Sequence, residues 1–175
     1  FGASVDVCRY PGQRPAGEKA PAMPEDRMKI LGGRIRGTTE MGYKVAVVGA
    51  TGNVGREMMN ILDERKFPAS EVHAIASRRS MGKEVAYRDK ILKCKDLEQF
   101  DFSTVDFVLM SAGSEVSKIW SPKIGAMGAI VIDNSSCWRY DPEVPLVVPE
   151  VNAHVLDGYM KRNNPRTILS NPNCP

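Results

Sequence analysis

One short segment limits what this chain can fold into more than any other: Gly49-Ala50-Thr51-Gly52-Asn53-Val54-Gly55. A β-branched run over residues 43–49 (YKVAVVG) leads into it. Residues 52–65 lead out, with Val54, Met58, Ile61 and Leu62 at helical spacing. Strand, glycine turn and helix in succession form the setting in which glycines cradle a dinucleotide. Gly49 permits a tight turn out of the strand, and Gly52 carries no side chain where backbone must approach a pyrophosphate. Gly55 lets the helix pack close to the sheet. The free N–H groups and the positive dipole end of the helix favour phosphate. The spacing is G-x-x-G-x-x-G, one residue longer than the common G-x-G-x-x-G. A glycine-rich turn without a ligand is the plain alternative, and the strand–turn–helix setting weighs against it.

The pattern that follows alternates in the same way. Phe67-Pro68 should stop the first helix. Strands are expected over 72–77, 105–110, 129–133, 146–148 and 167–170, with short extra strands over 83–87 and 90–94. A helix is expected over 115–127, limited or kinked by Pro122 and closed by Gly128. Strands alternating with helices mean a parallel sheet covered on both faces, an α/β fold. No internal repeat is visible.

Composition excludes several classes. Lys+Arg is 24 against Asp+Glu 21, a net charge of +3. That near-balance argues against a dedicated nucleic-acid or anionic-membrane binder. No apolar run approaches the roughly 18 residues of a membrane span. Cys8, Cys94, Cys137 and Cys174 lie far apart with no C-x-x-C spacing, so neither a disulfide scaffold nor a zinc ribbon is indicated. No metal site is expected, and a reducing, cytoplasmic setting is the default. Residues 1–40 have a different texture. Prolines 11, 15, 21 and 24 and glycines 2, 12, 17, 32, 33 and 37 make 10 of 40 residues. Such a segment is expected to be disordered or poorly ordered. It resembles neither a signal peptide nor a transit peptide. Met41 looks like a natural start, so the preceding residues are either a real extension or translated upstream sequence.

Three further clusters carry chemistry. After the second strand stands Ser77-Arg78-Arg79-Ser80, where NAD enzymes commonly place a carboxylate for the ribose hydroxyls. Two guanidinium groups and two hydroxyls suit a 2′-phosphate, which favours NADP. Solvated loop charges are the plain alternative. Asp133-Asn134-Ser135-Ser136-Cys137-Trp138-Arg139 follows a buried strand. Arg139 could hold a phosphate or carboxylate bidentately, whereas Cys137 reads as a small packing residue and Asn134, Ser135 and Ser136 could simply turn the chain. Asn171-Pro172-Asn173-Cys174-Pro175 follows the last strand. If a helix begins at Pro175, Cys174 sits at its N-cap, where the dipole favours a thiolate nucleophile. A buried structural cysteine is the equal alternative.

Taken together, residues 41–175 resemble the N-terminal part of aspartate-β-semialdehyde dehydrogenases. The likeness rests on 45–55 (VAVVGATGNVG), 77–82 (SRRSMG), Ser111-Ala112-Gly113, 133–139 (DNSSCWR), 147–152 (VVPEVN) and 170–174 (SNPNC), in that order. Residues 1–40 match nothing in that family. The resemblance implies a Rossmann-like, doubly wound parallel sheet over 41–172, which binds NADP. It implies NADPH-dependent reduction of L-aspartyl 4-phosphate to aspartate semialdehyde and phosphate, on the route to lysine, threonine, methionine and diaminopimelate. Cys174 matches the nucleophile that forms a thioester. Arg139 and Asn173 match residues that hold the substrate phosphate. Gly49, Thr51, Gly52, Asn53 and Val54 match the pyrophosphate loop; Ser77, Arg78 and Ser80 match the region of the adenosine phosphate. Ser111, Ala112 and Gly113 match residues that line the cofactor.

Family members are about twice as long. Their second domain, which carries an acid–base histidine and the main dimer interface, begins where residues 173–175 stand. His73 and His154 do not match that histidine. The chain is therefore expected to be an incomplete enzyme, inactive alone and prone to aggregate, whose full-length form is a homodimer or homotetramer. N-acetyl-γ-glutamyl-phosphate reductase shares the fold and chemistry but usually has glycine where this chain has Asn173. Glyceraldehyde-3-phosphate dehydrogenase is a weaker rival. A non-catalytic NADP-binding module is the rival of another class.

Overall fold

The computed structural model describes residues 42–159 and 167–172. The first strand, β1, is Tyr43–Val48. Its side chains alternate: Val45 and Val47 join one hydrophobic cluster, Ala46 and Val48 the other, and all four are buried. A strand covered on both faces needs apolar residues at every position, which makes this run conspicuous in the sequence.

Helix α1, Asn53–Glu64, follows. The expected face of Val54, Met58, Ile61 and Leu62 is corrected by rotation. Gly55 and Met59 are buried and Met58 and Leu62 half-buried, whereas Val54 and Ile61 are 44% and 37% exposed. Gly55, which has no side chain, packs against the backbone of Gly49 and Ala50, so the apolar pattern does not mark this part of the buried face. The helix also ends before Phe67-Pro68, where Lys66 turns the chain with φ 49°.

Strand β2, Ala69–Ala76, pairs parallel with β1 and begins earlier than residue 72. Strands β3, Glu84–Tyr87, and β4, Lys90–Lys93, form an antiparallel hairpin. Strand β5, Lys95–Asp96, is too short for sequence periodicity to show and pairs with the end of β2. Then come β6, Phe107–Met110, α2, Ser114–Ala126, and β7, Ile130–Asp133. Pro122 lies inside α2 without ending it. Ile124 and Gly125, beyond the proline, are buried, and that packing outweighs one missing backbone donor. Gly128, with φ 102°, stands just past the end of the helix.

The strand expected over 146–148 is not one. Leu146 makes an isolated parallel bridge to Ser170, and Pro149 instead opens a short helix, α3, Pro149–Asn152. Asn152 closes that turn on itself: its Oδ1 accepts from Val148 N at 2.7 Å, and its Nδ2 donates to Leu146 O at 2.9 Å. Helix α4, Val155–Tyr159, and strand β8, Ile168–Ser170, complete the described elements.

The six parallel strands run β5-β2-β1-β6-β7-β8. Chain order reverses between β1 and β6, the arrangement of a doubly wound, Rossmann-like sheet. One core cluster, with Val48, Val108, Met110, Ile124 and Val131, lies between the sheet and α2. The other, with Val45, Val47, Met59, Val85 and Tyr87, lies under α1 and the β3–β4 hairpin. In such a sheet the crevice for a ligand opens at the carboxyl ends of the strands, where the order reverses.

Candidate functional site at the carboxyl edge of the sheet

The β1–α1 loop sits at that reversal. Gly49 has φ 84°, and a Cβ there would lie 2.5 Å from Ser111 O. A Cβ on Gly55 would lie 2.3 Å from Gly49 O. Both glycines are required by the protein itself. Gly52 is different: it is exposed, its φ of −78° suits any residue, and a Cβ would meet only Gly49 O at 3.4 Å. The fold gives no internal reason for glycine at Gly52; the space beside it faces outward. No side chain caps α1 and no acidic residue occupies its first turn, so the helix start is left for an anion. Thr51 is half-buried, and Asn53 and Val54 are exposed around this opening.

Ser111, Ala112 and Gly113 leave the adjacent strand at the same edge. Ser111 N donates to Val48 O at 2.9 Å, which binds the start of this segment to the start of the glycine loop. Gly113, with φ 86°, precedes α2, and a Cβ there would meet nothing within 4 Å. On the other side of β1, β2 is followed by Ser77 and a tight 3-10 turn over Arg78–Ser80, with Ser80 N donating to Ser77 O at 2.7 Å. Arg78 and Arg79 are exposed, and among the described residues neither makes an ion pair. These clusters therefore share one edge, spread over three neighbouring strands.

The segment after β7 is held differently. Asp133 is fully buried, and its Oδ1 accepts from Ser135 N at 2.5 Å. Its Oδ2 accepts from Ser117 Oγ and, at 3.3 Å, from Ser121 Oγ. Trp138 Nε1 donates to Ser117 Oγ at 2.8 Å. Arg139 is half-buried; its Nη2 donates to Asn134 O at 3.2 Å, and its Nε is buried without a partner. Cys137 packs against the core, and burial, reinforced by the nearby Asp133 charge, raises its thiol pKa. That agrees with a packing role and disfavours a reactive thiolate.

The last strand exits beside β7. Asn171 N donates to Asp133 O at 2.7 Å and its Nδ2 to Val147 O at 3.1 Å, and Pro172 is exposed. Asn173, Cys174 and Pro175 lie outside the described residues, as do residues 1–41. His73 is on β2, against Lys95, Phe100 and Glu71; burial and then the Lys95 charge lower its pKa, partly opposed by Glu71. His154 is exposed, in keeping with a solvated histidine. Sequence reasoning missed Ser117 and Ser121. The available signal was two hydroxyls spaced i, i+4 on a helix facing a strand that ends in a carboxylate. Among the described residues, no helix is long and apolar enough to cross a membrane.

Comparison with known proteins agrees with this fold. The family described as semialdehyde dehydrogenase, NAD binding domain, matches residues 44–159. The aspartate-semialdehyde dehydrogenase of Rickettsia conorii is 51% identical over 132 residues, which cover 75% of this chain and 38% of that protein. That of Aquifex aeolicus is 48% identical over 135 residues, 77% of this chain and 38% of the relative. Among solved structures, aspartate semialdehyde dehydrogenase II from Vibrio cholerae, complexed with ASA, has a TM-score of 0.71 at 44% identity, covering 76% of this chain and 42% of that one. The chain spans about two fifths of the length of these relatives.

Proposed function

The chain belongs to the semialdehyde dehydrogenase family, by its NAD-binding domain, and from that premise we propose that it is the NADP-binding part of an aspartate-semialdehyde dehydrogenase. In this reading residues 41–172 form the cofactor domain and 173–175 begin the part that completes the site. The observation that carries the reading is Gly52: it is the one glycine of the loop that the fold does not itself require, and it borders an uncapped helix start. Main-chain N–H groups there would hold the pyrophosphate, with Thr51, Asn53 and Val54 around it. Arg78, with Ser77 and Ser80, would receive the 2′-phosphate, supported by the absence of a competing ion pair among the described residues. Ser111, Ala112 and Gly113 would line the same crevice. When bound, the nicotinamide supplies the hydride that turns the acyl group into the aldehyde.

The remaining chemistry belongs to the protein. The Cys174 thiolate attacks the acyl carbon of L-aspartyl 4-phosphate, the carbon–oxygen bond to phosphate breaks, and a thioester remains on Sγ. Arg139 and Asn173 hold the phosphate, as substrate and as leaving group. The reaction runs in the cytoplasm, in an enzyme assembled as a homodimer or homotetramer, on the route to lysine, threonine and methionine. The test is oxidation of aspartate semialdehyde by the full-length gene product with NADP and phosphate. Cys174→Ser should abolish the activity while leaving cofactor binding intact. Activity that survives the substitution overturns the assignment of the nucleophile.

A further inference from the structure

Arg139 has little to orient it. Its guanidinium reaches one carbonyl, Asn134 O, at 3.2 Å; its Nε has no partner, and it joins no ion pair among the described residues. A side chain held by a single hydrogen bond pays rotamer entropy on binding, the less so the better its backbone is fixed. The backbone next to it is fixed, from inside the fold. Asp133, Ser117 and Ser121 are fully buried, and Trp138, the residue before Arg139, is 8% exposed.

The donors in this cluster all run one way. The Trp138 indole N–H donates to Ser117 Oγ, and the Ser117 hydroxyl donates to Asp133 Oδ2. The Ser121 proton has two acceptors, Ser117 Oγ at 2.9 Å and Asp133 Oδ2 at 3.3 Å. Asp133 Oδ1 takes the Ser135 N–H, and Ser135 Oγ in turn accepts from Cys137 N at 3.3 Å. Ser117 alone both accepts, from the Trp138 indole, and donates, to the carboxylate, so it is the link between Trp138 and Asp133. We propose that Asp133, Ser117 and Trp138 form a buried clamp whose role is to position Arg139 for the substrate phosphate. They are positioning residues; the contact to phosphate is left to Arg139. The inference rests on the reading of Arg139 given above.

The test uses the full-length gene product, with inorganic phosphate as the varied substrate in the oxidation of aspartate semialdehyde. Trp138→Phe keeps an aromatic ring in the core and removes the indole donor; Ser117→Ala removes the bridge. Each should raise the KM for phosphate by about tenfold, the equivalent of one hydrogen bond, with the KM for NADP unchanged. Because both substitutions break the same bond, the double variant should match the worse single one. Arg139→Lys sets the reference and should raise the same KM. If Arg139→Lys raises it but Trp138→Phe and Ser117→Ala do not, the clamp is overturned and the Arg139 assignment stands. Equal rises in the KM for NADP would also overturn the clamp, since they mark general loosening of the domain. If Arg139→Lys leaves the KM for phosphate unchanged, the phosphate assignment fails and the clamp falls with it.

Discussion

The loop after β1 and the segment after β7 share one edge of the sheet but are shaped by opposite means. The first is shaped by what is missing: Gly49 and Gly55 have no room for a Cβ, with backbone oxygen at 2.5 and 2.3 Å. The second is shaped by what is present: a buried carboxylate collects hydroxyl and backbone donors, and an indole ties on from the next turn. Backbone geometry suits a pyrophosphate, which is recognised by main-chain N–H groups at a helix start. Side-chain scaffolding suits an arginine, whose fork must be aimed. On the proposed reading, one edge would offer two kinds of anion site that draw on different groups.

The comparison can be broken by substitution. The largest effect is expected at Gly55. Gly55→Val should cost at least about 3 kcal/mol in urea unfolding, because the side chain would be forced into the main chain of the loop. A loss below about 1 kcal/mol would show that α1 has room to shift, and that glycine does not set the loop. Asp133→Ala should cost about 2 kcal/mol, since it strands the Ser117 hydroxyl and the Ser135 N–H inside the protein. A neutral result would mean that the donors find other partners and that the second segment is not shaped by its carboxylate. The smallest stability effect is expected at Gly52. Gly52→Ala should change unfolding free energy by less than about 1 kcal/mol, within the range of a glycine-to-alanine exchange at a compatible backbone. It should still weaken NADPH binding by about tenfold or more. Loss of stability with unchanged binding would reverse the roles given to the three glycines.

The same contrast explains which parts were legible in the sequence. The glycine loop could be read because glycine spacing reports backbone shape directly, and β1 because burial on both faces leaves an unbroken apolar run. The buried face of α1 is rotated from the expected one because its fully buried positions are Gly55 and Met59, of which only Met59 carries a hydrophobic signal. β5 shows no period because it has two residues, and the apolar residues 146–148 suggest a strand where only an isolated bridge at Leu146 forms before Pro149 opens α3. The proposed clamp leaves a fainter trace, the i, i+4 hydroxyls of Ser117 and Ser121. Ser117 and Ser121 lie one turn apart on α2, Asp133 ends β7 and Trp138 follows it, and the packing of these two segments makes them one cluster. Arg139 was read as an anion ligand from its type and place after a strand, but nothing in the sequence indicated what orients it.

The most direct test is calorimetric titration of the full-length gene product with NADPH and with NADH. On the proposed reading the glycine loop would serve either cofactor, and a preference would come from the 2′-phosphate and from Arg78 and Arg79, which make no ion pair among the described residues. NADPH is expected to bind at least about tenfold more tightly, a difference of about 1.4 kcal/mol, and the Arg78→Ala/Arg79→Ala variant should erase that difference without weakening NADH. Equal affinity for the two cofactors in the unsubstituted protein would contradict the assignment of this domain to NADP.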